Sequence, residues 1–394
     1  MANVFKKAEV FFAALLIVFL LSPTIQTIMH LAPEATLYGY NDPVPEKPTH
    51  YLHGFFDKSL QQWIEKTFTA RLGFRAYLIR TINEINFRLF HEMDNTRLKL
   101  MTTKQHGLYS NLSIDSLNYD IMHKDALEKK YQKEAQQLLE VQNKLAALGK
   151  YFVVVIASSK AYIYPKGLGQ RLLVGGDNNV FNRAANFGAI LKASGVHVID
   201  SGPILRHLVH TEKIETHPVS GLHWNYYAAC LIAQKIVQQA QKRFPTMVGL
   251  DCGTATRISP PMYDVDVDGY SLLNIWSKAG LIKLTTYPTI IAIQNKTMNW
   301  HPKMVVIGDS FSDQLRFTLK KANIYAHMVM SSYFKRREVD NPANGAVNLP
   351  DDDKPCEPKL LADIYASDIV ILEMVDYNIY RNTYGFADYF LKYA

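Results

Sequence analysis

Apolar runs rich in Val and Ile recur along this chain, separated by amphipathic stretches, and that alternation narrows the possible folds most. Residues 151–157 (YFVVVIA), 196–200 (VHVID), 303–307 (KMVVI), 324–330 and 368–374 (DIVILEM) have the length and β-branched content of strands. Between them, residues 125–150, 181–193, 226–243 and 311–321 carry Leu, Val, Ile and Phe at helical spacing. Strands that are apolar on both faces must be covered on both faces, as in a parallel sheet with helical crossovers. The expected fold class is therefore α/β, a parallel sheet flanked by helices. In such sheets ligands bind beyond the carboxyl ends of the strands.

A second constraint lies at the N-terminus. Residues 10–21 (VFFAALLIVFLL) are an unbroken apolar run, preceded by Lys6 and Lys7, and the chain stays mostly apolar to Ala32. That stretch approaches the roughly 20 residues that span a bilayer, and the leading lysines keep its start on the cytoplasmic side. No small-x-small site follows directly, so an uncleaved anchor is expected rather than a removed signal. Prolines at 43, 45 and 48 mark a linker, and residues 54–90 have helical spacing interrupted at Gly73. The expected organisation is residues 1–33 as a signal anchor, 34–100 as linker and helical lead-in, and 101–394 as the catalytic domain.

The formal charge is +7, spread without Lys/Arg blocks, which argues against a nucleic-acid reader. Three cysteines at 230, 252 and 356 form no CxxC pair, so no metal site is expected from them. In an oxidising compartment Cys230 with Cys252 is a conceivable bridge; the odd count leaves at least one thiol over, and the pairing stays open. The Pro-, Asn- and Asp-rich residues 338–358 read as a mobile loop.

The chemistry concentrates where residues 303–307 run into Gly308-Asp309-Ser310-Phe311-Ser312 and then an amphipathic stretch. Gly308 permits a close turn, and Asp309 is expected to fix it. Ser310 then sits at a strand end and a helix start, where N–H groups stabilise an oxyanion. Taken alone, such a serine is an ordinary helix cap; as a nucleophile it needs a base. Among 13 histidines, His223 stands out in THPVSGLHWN (216–225), a loop that opens the helical stretch from Tyr226. Trp224 beside it suits sugar stacking.

These segments, in this order, resemble the SGNH-like O-acetyltransferases of bacterial exopolysaccharide export, the alginate acetylation family of AlgX and AlgJ, over about residues 50–394. The GDS nucleophile motif is seen as Gly308-Asp309-Ser310, and a D-x-H-W motif as Gly221-Leu222-His223-Trp224. Residues 104–109, the segment 153–160 with Tyr164 and Pro165, and the closing strand 369–376 are similar to three further family segments. The resemblance implies an SGNH-hydrolase-like fold, Ser310 as nucleophile and His223 as base. It also implies an acetyl group received from a membrane-bound MBOAT-type donor protein and passed to a polysaccharide hydroxyl, without metal or other cofactor. The domain would lie in the periplasm, held at the bacterial inner membrane by its single anchor.

One position departs from the family: the acid two residues before the histidine is Gly221 here. A backbone carbonyl, Ser220, Glu215 or Asp200 could orient His223 instead, or the enzyme could work as a Ser–His dyad. An esterase or deacetylase of the same fold would use the same residues. An inactive scaffold or glycan-binding protein of an export complex is the non-enzymatic alternative.

Overall fold

A computed structural model describes all of the chain except residues 1, 40–43, 91–92, 94–99, 104–106, 169–171, 175–182, 260–261, 278–279, 281, 342–344 and 349–356. Residues 104–106 of one family-like segment, Cys356, and parts of the 38–48 linker and the 338–358 segment thus lie outside the described residues.

The chain divides into two units. The first comprises residues 1–99 and 270–279 and is helical: α1 (Ala2–Met29), α2 (Tyr51–Phe56), α3 (Ser59–Arg71) and α4 (Arg75–Phe90). Within α1, Val10–Met29 is long and apolar enough to cross a membrane, and its large side chains are exposed. The interruption expected at Gly73 falls between α3 and α4. Its N–H donates to Thr27 Oγ1 at 2.7 Å, and a Cβ there would press on Gln26 and the Pro23 carbonyl.

The second unit, residues 100–269 and 280–394, is built on a sheet of β1 (Tyr151–Ala157), β2 (Val198–Asp200), β3 (Lys303–Gly308), β4 (His327–Ser332), β5 (Arg336–Asn341), β6 (Gly345–Asn348) and β7 (Ile369–Val375). The spatial order is β6-β5-β4-β3-β7-β1-β2. From β4 to β2 all neighbours are parallel. Hairpins then add β5 and β6 antiparallel at one edge, so part of the segment read as a mobile loop is paired strand.

All seven residues of β1 and of β7 are buried, as an unalternating apolar run requires. Successive side chains go to opposite faces. Val153 and Val155 pack in one core layer with α7 (Tyr226–Gln241) and α8 (Ser312–Lys321). Phe152, Val154 and Ile156 pack in the other with α5 (Lys124–Ala147), α6 (Arg183–Ala193) and α9 (Phe386–Tyr393). A disulfide joins Cys230 on α7 to Cys252, with Cα atoms 5.9 Å apart.

Candidate active site

The turn after β3 is packed so closely that only glycine fits at its start. A Cβ on Gly308 would lie 2.6 Å from Glu373 Oε2 and 2.3 Å from Ser312 Oγ. Asp309 is buried and saturated. Its Oδ1 accepts the Phe311 N–H at 3.0 Å, closing the turn on itself. Its Oδ2 accepts the Val375 N–H, the Asn378 amide and the Tyr384 hydroxyl at 3.0, 2.9 and 2.7 Å, pinning the turn to the end of β7. Beneath it, Glu373 Oε2 accepts the Asp309 N–H at 3.0 Å and the Ser312 hydroxyl at 2.8 Å. Burial, and then the Asp309 carboxylate, push Glu373 well above the carboxylate range and favour its neutral acid.

This scaffold holds Ser310 at the carboxyl end of β3, its side chain partly exposed. His223 Nε2 lies 2.7 Å from Ser310 Oγ. Its ring packs against Phe311, with centroids 4.7 Å apart. His223 Nδ1 faces a carboxylate oxygen, Asp268 Oδ2, in a hydrogen-bonded ion-pair contact. The other oxygen of Asp268 accepts the Leu222 N–H at 2.8 Å and the Gly269 N–H at 2.7 Å. Burial, the largest single influence, would lower the His223 pKa; the Asp268 carboxylate, joined by those of Asp309 and Asp313, raises it above the ordinary histidine value. The three side chains form a serine–histidine–carboxylate chain of the kind that activates a hydroxyl.

Asp268 was not among the residues expected to orient His223, and none of the expected ones does so. Ser220 gives its hydroxyl to the Asp266 carbonyl at 2.8 Å. Asp200 caps the helix Ser201–His207 by accepting the Gly202 N–H at 2.9 Å. Glu215 is carried away by the loop: its carbonyl accepts the Asn225 amide, and burial raises its carboxyl to about 7. Gly221 acquires a reason instead. A Cβ at 221 would meet the Val265 and Asp266 carbonyls at 3.1 and 3.2 Å and Asp268 Oδ1 at 3.3 Å. The Asp268 carboxylate occupies the space into which a side chain at 221 would reach. The only sequence signal was the run Asp264-Val265-Asp266-Val267-Asp268-Gly269, which has no spacing relation to the histidine.

Trp224 also differs from expectation. It is fully buried, donates its Nε1–H to the Phe311 carbonyl at 3.1 Å and meets Phe311 edge-on. A ring with no exposed face cannot stack on a sugar; it ties the histidine loop to the serine turn. The loop is held from below by Lys160, a buried cation whose Nζ donates to the carbonyls of Pro218, Val219 and Gly221 at 2.6, 3.1 and 3.2 Å. Burial lowers its pKa to about 7. His217 is also buried, with Nε2 3.0 Å from the Ser158 carbonyl; burial lowers its pKa to about 3, so it is neutral and donates there.

Ser310 opens into a cleft of about 750 Å³ that Asp313, Arg316, Tyr333, Arg336 and Arg381 also line. Tyr333 is held in the left-handed region, φ 53°, with its N–H bonded to the Gly308 carbonyl at 2.7 Å. Non-glycine residues rarely adopt that conformation, and it clusters at functional sites. Burial, the largest influence on the Tyr333 phenol, pushes its pKa up from the ordinary tyrosine value. Among the described residues no group of three or more His, Cys, Asp or Glu is placed to hold a metal ion.

Residues 118–267 match the sequence model of a family described as the SGNH hydrolase-like domain of the acetyltransferase AlgX. No curated protein matches the chain. Among solved structures, the O-acetyltransferase domain of Pseudomonas putida AlgJ is similar, at 14% identity and a TM-score of 0.45, covering 72% of this chain and 92% of that one. Bacillus cereus PatB1 gives 10% identity and 0.42, over 71% and 96%. Pseudomonas aeruginosa AlgX gives 12% and 0.39, over 65% and 61%. Over residues 118–267, which include His223, the chain is similar to the SGNH hydrolase-like domain described for the acetyltransferase AlgX; Asp268 and Ser310 lie outside the matched residues.

Proposed function

We propose that this protein is a serine-dependent O-acetyltransferase that passes an acetyl group, by way of an acyl-serine at Ser310, to hydroxyls of an exported polysaccharide. The observation that carries the proposal is the chain Ser310–His223–Asp268 at the carboxyl end of β3. The match to an acetyltransferase family supports transfer as the outcome. Helix α1 is proposed as the inner-membrane anchor, with the second unit in the periplasm, where a membrane-bound MBOAT-type donor protein would supply the acetyl group.

In the first step His223 Nε2 takes the proton of Ser310 as Oγ bonds to the acetyl carbon. The carbonyl oxygen becomes an oxyanion and is stabilised by N–H groups at the turn. When the intermediate collapses, the bond to the donor's leaving group breaks, and that group departs with the proton from His223. In the second step His223 takes the proton of a sugar hydroxyl, whose oxygen attacks the acyl carbon. Ser310 Oγ leaves and recovers that proton. Asp268 accepts the Nδ1–H, which fixes the tautomer, and stabilises the imidazolium formed in each step. Gly308 and Asp309 hold the turn.

The test is intact-protein mass spectrometry after exposure to an activated acetyl ester, with Ser310→Ala in parallel. A 1:1 acetyl adduct mapping to Ser310 and absent from the variant supports the reading; its absence at every pH tried overturns it. Following the label to added glycan or to free acetate then separates a transferase from an esterase.

A further inference from the structure

Strand β2 ends the sheet on the side away from β5 and β6, with β1 as its one neighbour. Helices α6 and α7, which cover opposite faces of the sheet, both overhang that edge and leave a groove of about 930 Å³ between them. Its floor is the strand edge and its size is that of a ligand cleft. It lies three strands from β3, about 14 Å across the sheet, and shares no lining residue with the cleft at Ser310.

The walls are strongly cationic. Lys192 comes from α6, Lys235 from α7, and Lys242 and Arg243 from the end of α7. None of the three lysine ammonium groups has a hydrogen-bond or ionic partner among the described residues. Arg243 spends one N–H on the Gly149 carbonyl at 3.3 Å. Asp200 is the one carboxylate in the lining, with one oxygen already bound to the Gly202 N–H. Four cations against one acid give the groove a local charge of +3 with histidine neutral. Tyr151 and His197 stack at its base, and Gln239 accepts the Tyr151 hydroxyl with its oxygen, which leaves its NH2 as a donor.

Lysines on an edge strand often serve only to discourage strand pairing. Here β2 itself carries none (Val198, Ile199, Asp200); the cations stand on the flanking helices and converge over the strand. A concave trough between two helices fits an extended polymer better than a flat lipid surface. We propose that this groove is a second binding site for the polymer, taking an acidic polysaccharide whose carboxylates pair with Lys192, Lys235 and Lys242. That the polymer is the acceptor rests on the function proposed above; that the groove holds an acidic glycan does not.

The experiment uses the full chain in detergent and compares it with Lys192→Glu/Lys235→Glu/Lys242→Glu, its folding checked by thermal melting. Binding of oligogalacturonate is measured by calorimetry at low and high salt, beside a neutral gluco-oligosaccharide and anionic lipid vesicles. Acetylation of Ser310 by an activated ester is followed in the same samples. We expect the charge reversal to weaken oligogalacturonate binding about 30-fold, about 2 kcal/mol shared among three exposed ion pairs. High salt should weaken the unaltered protein in the same sense, while Ser310 acetylation is unchanged. Equal affinity of the two proteins for oligogalacturonate overturns the proposal, and so does lysine-dependent binding of vesicles alone. If Ser310 fails to acetylate while lysine-dependent glycan binding persists, the catalytic reading falls and the groove stands. Should the triple variant melt early, the single Lys235→Glu must still show a weakening of about threefold or more.

Discussion

Ser310 sits in one continuous strand–turn–helix segment, which β7 braces through Glu373, Val375 and Asn378, whereas His223 sits in a loop whose carboxylate partner comes from a separate segment. The serine turn runs without a break from β3 through Gly308 and Asp309 into α8. The histidine loop draws on Lys160 beyond the end of β1, on Asp268 from 45 positions downstream, and on Trp224 pressing into the serine turn. The difference explains how a carboxylate meets His223 although position 221 is glycine. What the imidazole needs is a carboxylate at Nδ1, not a carboxylate at a given position, and Gly221 leaves the room through which Asp268 reaches it.

Four variants bear on this contrast. The largest effect is expected from Asp268→Asn. If Asp268 is the orienting acid, ester turnover falls by about 10⁴-fold, the cost of the corresponding change in a hydrolase triad, while the melting temperature moves little. A loss below about tenfold would make the site a Ser–His dyad. The pH profile sharpens the same point. His223 acts as base when neutral, so turnover climbs as pH rises through its raised pKa. Removing the Asp268 charge takes away the chief influence raising that pKa, so the rising limb must shift to lower pH as the plateau drops.

Lys160→Met should follow. It strips the carbonyls of Pro218, Val219 and Gly221 of a shared donor. The Pro218 and Val219 carbonyls keep the N–H groups of Gly221 and Leu108, so the Gly221 carbonyl is the one left short, and a buried unsatisfied group costs about 1–3 kcal/mol. Denaturant titration should register a loss of that order or more, and turnover should drop with KM for a small ester nearly unchanged. Full stability would show that the loop holds itself.

Gly221→Ala tests the space around Asp268. The added methyl meets two carbonyls and the carboxylate at 3.1–3.3 Å, and overpacking of this kind costs about 1–3 kcal/mol. We expect lower stability together with a weaker His223–Asp268 contact, visible as a pH limb displaced in the direction seen for Asp268→Asn. A variant that is stable and has an unmoved limb would remove Gly221 from the explanation.

The smallest effect belongs to the serine side. Glu373 has its folded pKa raised above the unfolded value of about 4.5, so the fold binds the proton more tightly than the unfolded chain does. Its contribution is therefore lost as pH rises from about 4.5 toward the folded pKa. Glu373→Gln keeps the shape without the titration and should flatten that part of the stability–pH curve, with turnover retained. A curve that falls as before would place the titration elsewhere.

The site was unequally legible in the sequence for the same reason that it is unequally built. Ser310 could be found because strand, turn and helix are consecutive, although the contacts that brace the turn, Glu373 against Gly308 and the end of β7 on Asp309, are distant in sequence. His223 could be found by its loop-before-helix context. Ser220, Glu215 and Asp200 were reasonable orienters by nearness in sequence or by a strand end. None is bonded to the imidazole: the Ser220 hydroxyl is spent on the Asp266 carbonyl, the Glu215 carboxyl is under the influence of burial and of Lys160, and Asp200 caps a helix. Trp224 read as a sugar platform because aromatic chemistry does not reveal burial.

What the sequence determined by itself is what short range decides: the buried runs that must be strands, the helices between them, the apolar helix at the N-terminus, and a serine presented at a strand end. The tertiary structure alone decided which carboxylate meets His223, why position 221 is glycine, and which lysines gather over the sheet edge. Those contacts join residues far apart along the chain, and side-chain periodicity carries no record of such partners. They exist only once the sheet order has brought the segments together.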